Sequence, residues 1–226
     1  MAGKIAAQGR SSMVLRLVRA RFLLFSVALC LSAPLVASAA PAHGFSAAER
    51  AALARGRLVA HQVAEKRGAL RLLGGSSWQV VRRHPDALWQ ALLQTSGYRH
   101  MLPGVRRAVL LQHAGNERII QLEQRFGRLH LRYRLQLRID PAARQILFRL
   151  DPEAAAGMRA GWGFLRVRPY GPAHALLSYG VRADVGPSLW STMLSPVVQD
   201  WLLRVPSTIK RHLERCRRAQ LSHHQR

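Results

Sequence analysis

Cysteine is almost missing: the 226 residues hold two, Cys30 and Cys216. Cys30 falls in an apolar N-terminal run and Cys216 stands alone beyond it. A disulfide within the folded part is therefore excluded, and the core has to rest on apolar packing. Acidic side chains are scarce as well, 11 against 35 Lys and Arg, for a net charge of +24. Few carboxylates remain for paired acid–base chemistry: Glu117 and Glu123 share a strand, and Asp184 stands near the end of another. No Cys/His cluster, His-Glu-x-x-His helix, Gly-x-Ser-x-Gly elbow or phosphate-cradling glycine loop occurs. No metal and no cofactor are expected. The ten histidines do not change this, since His223-His224 lies in a tail, His61, His113 and His174 lie near strand ends or turns, and His130 shares a strand face with arginines.

What is there begins with an ordered N-terminus. Arg16, Arg19 and Arg21 come without an acid among them, and Phe22 to Leu31 is then an apolar run too short for the roughly 20 residues of a bilayer span. Pro34 and Ala37-Ser38-Ala39 follow. Charged, apolar, then small is the order of a secretory signal peptide, so residues 1–39 are expected to be cleaved near Ala39 and the protein exported, periplasmic or secreted. Met13 fits as the start of that segment as well as Met1 does. An uncleaved membrane anchor over Phe22 to Ala40 is the alternative reading, against which the Ala-Ser-Ala step argues. Cleavage removes Lys4, Arg10, Arg16, Arg19 and Arg21, so 226 residues less 39 leave 187, and +24 less these five charges leaves +19. That length suits one domain, expected as a monomer. The charge suits polyanions. Export argues against nucleic acid and leaves an anionic membrane surface, where each nearby Lys or Arg contributes about 1 kcal/mol.

Residues 40–76 read as an N-terminal extension. In it Ser46-Ala47-Ala48-Glu49 is a capping box opening a helix to Arg55 and Gly56, and Arg57 to Lys66 is strand-like, before turns at Gly68 and Gly74-Gly75. The main domain is expected over residues 77–218, with a disordered tail at 219–226. Trp78 to Arg83 reads as a strand. His84-Pro85-Asp86 opens a helix with proline in its first turn, and Tyr98 to Leu102 is a short helical turn stopped by Pro103-Gly104. Six strands follow, over 105–113, 117–126, 128–140, 145–150, 162–170 and 174–185. The third alternates most cleanly: Leu129, Leu131, Tyr133, Leu135, Leu137 and Ile139 point one way, while His130, Arg132, Arg134, Gln136 and Arg138 point the other. One sheet face is therefore buried and the other wet and basic. Past Gly186-Pro187, Trp190, Met193, Leu194, Val197, Trp201, Val205 and Ile209 form a helical stripe. Pro196 and Pro206 predict that this helix is bent or segmented.

The run Arg83-His84-Pro85-Asp86-Ala87-Leu88-Trp89, then Tyr98-Arg99-His100-Met101-Leu102-Pro103-Gly104-Val105, resembles the opening of START-type, Bet v 1-like (SRPBCC) domains. Specifically it is similar to their bacterial polyketide-cyclase and coenzyme-Q-binding branch. Asp140-Pro141, Gly161-Trp162-Gly163-Phe164 and Trp201-Leu202-Leu203-Arg204-Val205-Pro206 extend the likeness over Ser77 to Arg217. The acid that precedes the tyrosine in that branch is missing, Ser96-Gly97 standing in its place. The resemblance implies an α+β helix-grip fold, a curved seven-stranded antiparallel sheet wrapped around a long C-terminal helix. It also implies an apolar cavity between them, which family members use to hold lipids, sterols, quinones or polyketides, a minority doing chemistry there.

Candidate cavity residues are Leu131, Tyr133, Leu135, Leu177 and Tyr179 on the sheet and Trp190, Met193, Val197, Trp201 and Val205 on the helix. Tyrosine and tryptophan tips suit the polar end of an apolar guest. Gln124 is the inward polar residue of its strand, because Ile120, Leu122 and Phe126 share its register and Glu117 and Glu123 do not. Arg132, Arg134, Arg138, Arg149, Arg166 and Arg168 share the outward register as a candidate membrane-facing surface; an arginine-biased solvated exterior accounts for them equally well. The expected function is binding or transfer of a hydrophobic small molecule. A cyclase or dehydratase in the same cavity is the alternative and needs an inward His, Asp or Glu. A cationic protein adhering to envelope polyanions is a second alternative.

Overall fold

The computed structural model describes residues 44–127, 129–154, 158–184 and 195–223. The expected signal peptide lies outside the described residues, as do Trp190, Met193 and Leu194. Helix α1 (Ala47–Ala54) starts at the expected capping box: Ser46 Oγ accepts the Glu49 amide at 3.2 Å, and Glu49 Oε2 accepts the Ser46 amide at 2.7 Å. Gly56, at φ 69°, ends it. Its carbonyl then accepts from Gln79 Nε2 at 3.0 Å and Lys210 Nζ at 2.7 Å, tying this corner to the sheet and to the last helix.

Eight strands form one antiparallel sheet: β1 (Val59–Arg67), β2 (Leu70–Val81), β3 (Val105–Ala114), β4 (Glu117–Phe126), β5 (Leu129–Asp140), β6 (Gln145–Leu150), β7 (Ala160–Pro169) and β8 (Ala175–Asp184), in the order β1-β2-β8-β7-β6-β5-β4-β3. The six serial strands fall where the alternation puts them. The expected count of seven is corrected to eight, because β2 begins at Leu70 rather than Trp78. It hairpins through Gly68 onto β1, and this carries the supposed extension into the main sheet.

Gly74-Gly75 is not a turn. Both residues lie inside β2 at φ 147° and 150°, an extended conformation open to glycine alone. A Cβ on Gly75 would stand 1.9 Å from the His61 carbonyl oxygen, and one on Gly74 2.1 Å from that of Val181. The missing side chain that suggests a turn instead lets neighbouring strands approach across the bend.

Helix α2 (Pro85–Leu93) has Pro85 at its start and buries Leu88, Trp89 and Leu92. A 3-10 turn, Thr95–Gly97, joins it to α3 (Tyr98–Met101). The C-terminal helix is segmented, as its prolines predict, into α4 (Ser195–Leu203) and α5 (Val205–His223). Pro206 has no N–H to continue the ladder, and the chain bends at Arg204. Helix α5 runs to His223, so the expected tail from residue 219 is helical that far. Arg217 to Leu221 contains neither glycine nor proline and consists largely of good helix formers.

The main core joins α2, α3 and α5 to the inner face of β4–β8. A second cluster lies on the outer face, where Leu53 of α1 meets Val59, Trp78 and Val80, and Phe45 sets its ring edge-on to Trp78 at 5.4 Å. At the far end of β8 the buried Asp184 carboxylate accepts from the Arg71 amide at 3.0 Å and from Arg159 Nη2 at 2.7 Å, clasping β2, β8 and the start of β7.

Candidate ligand cavity

Strand alternation places Ile120, Leu122, Gln124 and Phe126 of β4 beside Leu131, Tyr133, Leu135 and Leu137 of β5, all on the inner face. Helices α4 and α5 cross this face without filling it. A partly open cavity of about 120 Å³, counted as space for the centres of water-sized molecules, remains between them. Val198, Trp201, Leu202, Val205 and Ile209 form its helical wall, and Tyr98, Met101, Leu102 and Pro103 close one side. Trp201 sets its ring edge-on to Phe126, with centroids 5.0 Å apart.

Of the expected cavity residues, Gln124, Leu131, Tyr133, Leu135, Tyr179, Trp201 and Val205 line the space. Leu177 is fully buried but belongs to the solid core rather than the wall. Val197 is corrected outright: it is 54% exposed, and Val198, 1% exposed, takes the inward place. Adjacent valines at 197 and 198 both fit helical spacing to Val205, and the rotation of α4 that chooses between them comes from its contacts with the sheet. Leu122 and Phe126 were legible in Gln124's register, whereas Tyr98 and Met101 reach the cavity from a helix too short to carry a periodic signal.

Polar groups in the wall are few and linked. Gln124 Nε2 donates to the Pro103 carbonyl at 2.7 Å, and the Tyr133 hydroxyl donates to Gln124 Oε1 at 2.5 Å. The Tyr98 hydroxyl donates to the Leu92 carbonyl at 2.9 Å. The Tyr179 ring stacks on Phe148 with centroids 6.0 Å apart, and its hydroxyl makes no hydrogen bond among the described residues. Burial pushes the Tyr98 phenol up to about 12 and those of Tyr133 and Tyr179 further still, Tyr179 also being raised by Tyr133 beside it. Among the described residues the wall contains no His, Asp, Glu, Lys or Arg. Glu123 faces outward to Arg107 at 3.9 Å, and no group of three or more His, Cys, Asp or Glu among the described residues is placed to hold a metal.

The six arginines of the outer register do lie on the other face. Arg132, Arg134, Arg138, Arg149 and Arg168 are exposed and Arg166 is half-buried. Glutamines brace two of them, Arg149 Nε donating to Gln136 at 2.6 Å and Arg166 Nε to Gln145 at 2.5 Å. Burial and the neighbouring Arg168 lower the Arg166 pKa.

No family model matches the chain, and no curated protein matches it. Solved structures do. An aromatase/cyclase (Zhui) from a Streptomyces species superposes with a TM-score of 0.53 at 18% identity, covering 72% of this chain and 97% of that one. A START superfamily protein from Mycobacterium smegmatis gives 0.53 at 14% identity, covering 62% and 97%. The chain has the START-type helix-grip fold. A STAR-related lipid transfer protein from Xanthomonas axonopodis shares it, at a TM-score of 0.52 and 13% identity over 68% of this chain and 98% of that one. In all three the likeness covers almost the whole neighbour.

Proposed function

We propose that the protein is an exported binding or transfer protein for a hydrophobic small molecule, a lipid, sterol or quinone, held in the cavity between the sheet and α4–α5. The observation that carries this reading is the cavity itself, lined among the described residues mainly by apolar side chains and supplied with a short polar chain, Pro103–Gln124–Tyr133, at one place in its wall. Burying ten methylenes of a guest is worth about 8 kcal/mol before the costs of association, enough for roughly micromolar affinity. The START-type neighbours include a protein named for lipid transfer and another named an aromatase/cyclase, and both names suit an apolar guest. A cyclase or dehydratase working by proton transfer would want an inward His, Asp or Glu, and the described wall offers none to support it. Export rests on the N-terminal sequence pattern alone, and the exposed arginines of the outer face would let the carrier rest on anionic lipid head groups.

Native mass spectrometry of gently purified protein, followed by organic extraction, tests the reading. A bound apolar molecule is expected. Protein that is consistently empty and takes up neither lipids nor quinones overturns it. N-terminal sequencing of the protein from the envelope fraction is expected to begin near Ala40.

A further inference from the structure

The positions of the hydroxyl protons in the cavity follow from obligatory hydrogen-bond roles. The Pro103 carbonyl can only accept, so the Gln124 atom 2.7 Å from it is the amide nitrogen. That turns Gln124 Oε1 toward Tyr133, 2.5 Å away; an amide oxygen also only accepts, so Tyr133 donates. Its one proton is committed, and what it can still offer is an oxygen lone pair. Tyr98 is committed likewise, to Leu92. Tyr179 differs. It is 7% exposed, lines the cavity, and has no hydrogen-bond partner among the described residues. Its phenol stays protonated because burial opposes ionisation, so its O–H is a donor without an acceptor.

The Tyr179 oxygen is not one of the fully enclosed polar atoms without a partner, which among the described residues are Ser77 Oγ, Thr95 Oγ1 and Arg118 Nε, so its O–H is open to the cavity and within reach of a guest. At the place where Tyr179 and Tyr133 lie beside one another, the wall therefore offers a donor, the Tyr179 O–H, and an acceptor, the Tyr133 oxygen. We propose that the cavity selects a guest carrying a hydroxyl, an alcohol or phenol on an apolar body, whose oxygen accepts from Tyr179 and whose proton goes to Tyr133. A hydroxyl is the simplest head group that is both acceptor and donor. A quinone, ketone or ether can satisfy Tyr179 only, and a hydrocarbon neither. This inference rests on the binding reading and narrows it to hydroxyl-bearing guests.

Three probes of one shape separate the cases: para-octylphenol, para-octylanisole and octylbenzene, titrated calorimetrically into the full chain. The phenol is expected to bind about tenfold or more tighter than octylbenzene, with the anisole between them. Tyr179→Phe and Tyr133→Phe are each expected to cut the phenol's advantage over octylbenzene, measured on the same variant, about fivefold. Equal affinity of all three probes for the unaltered protein overturns the inference while leaving the binding reading intact, as does a phenol preference that survives Tyr179→Phe. Failure of every probe, octylbenzene included, to bind up to its solubility overturns both.

Discussion

Tyr98, Tyr133 and Tyr179 sit on three different elements, yet burial acts on their phenols in the same direction. Each ionises less readily in the folded chain than in the unfolded one, where the ordinary value is near 10. The sign follows from proton linkage. Below pH 10 both states keep these protons and the contribution to stability is full. Above it the unfolded chain releases protons that the folded chain retains, so stability falls from pH 10 through about 12, where Tyr98 titrates. A spectrophotometric alkaline titration is expected to show these three tyrosinates appearing only together with the loss of tertiary structure. Smooth ionisation of Tyr98, Tyr133 and Tyr179 near pH 10, with the fold retained, would contradict their burial. Tyr133 shows how an unremarkable glutamine acquires a role, since Gln124 orients that hydroxyl only because the Pro103 carbonyl orients Gln124.

Among the elements, β2 departs most from what its residues suggest. Leu70 to Val81 contains two glycines and two serines, a composition that favours a turn, yet Leu70 to Trp78 pair with β1 and Leu73 to Val81 with β8. The backbone of β1 occupies the space a side chain at Gly75 would need. Gly75→Ala is therefore expected to destabilise the protein by about 3 kcal/mol in urea unfolding, with hydrogen-exchange protection lost first along β1. A change below about 1 kcal/mol would mean that the strands are not so close. The break between α4 and α5 is the opposite case. Pro206 announces it locally, and the two segments turn different faces to the sheet, Val198 and Trp201 from one and Val205 and Ile209 from the other.

On the scale of the whole molecule, a curved sheet and a segmented helix meet over a hollow that neither fills. Leu135→Trp places an indole in that space from the middle of β5. Uptake of an apolar guest is expected to drop tenfold or more while circular dichroism stays native, because the added side chain takes the guest's volume without breaking a hydrogen bond. Undiminished uptake would place the guest elsewhere. Charge acts on this scale too. The outward arginines of β5, β6 and β7 come from strands adjacent in the sheet, and their fields add on one face.

Period-two alternation set the six serial strands and the inward place of Gln124 and Tyr133, because which face a strand residue takes is a local property once one face is apolar. The capping box of α1 and the proline break before α5 were likewise decided within a few residues of chain, where hydrogen-bonding capacity and ring geometry leave little choice. Three things were not legible there: the pairing of β1 into the main sheet, the rotation of α4 that buries Val198 and exposes Val197, and the Tyr179 hydroxyl left without a partner among the described residues. Each depends on the distance between segments far apart in sequence. Glycine in β2 serves β1 and β8 rather than a turn, and a hydroxyl is unpaired only once everything around it has been placed. Local chemistry wrote the strands and their facing; packing at a distance made the hollow between them.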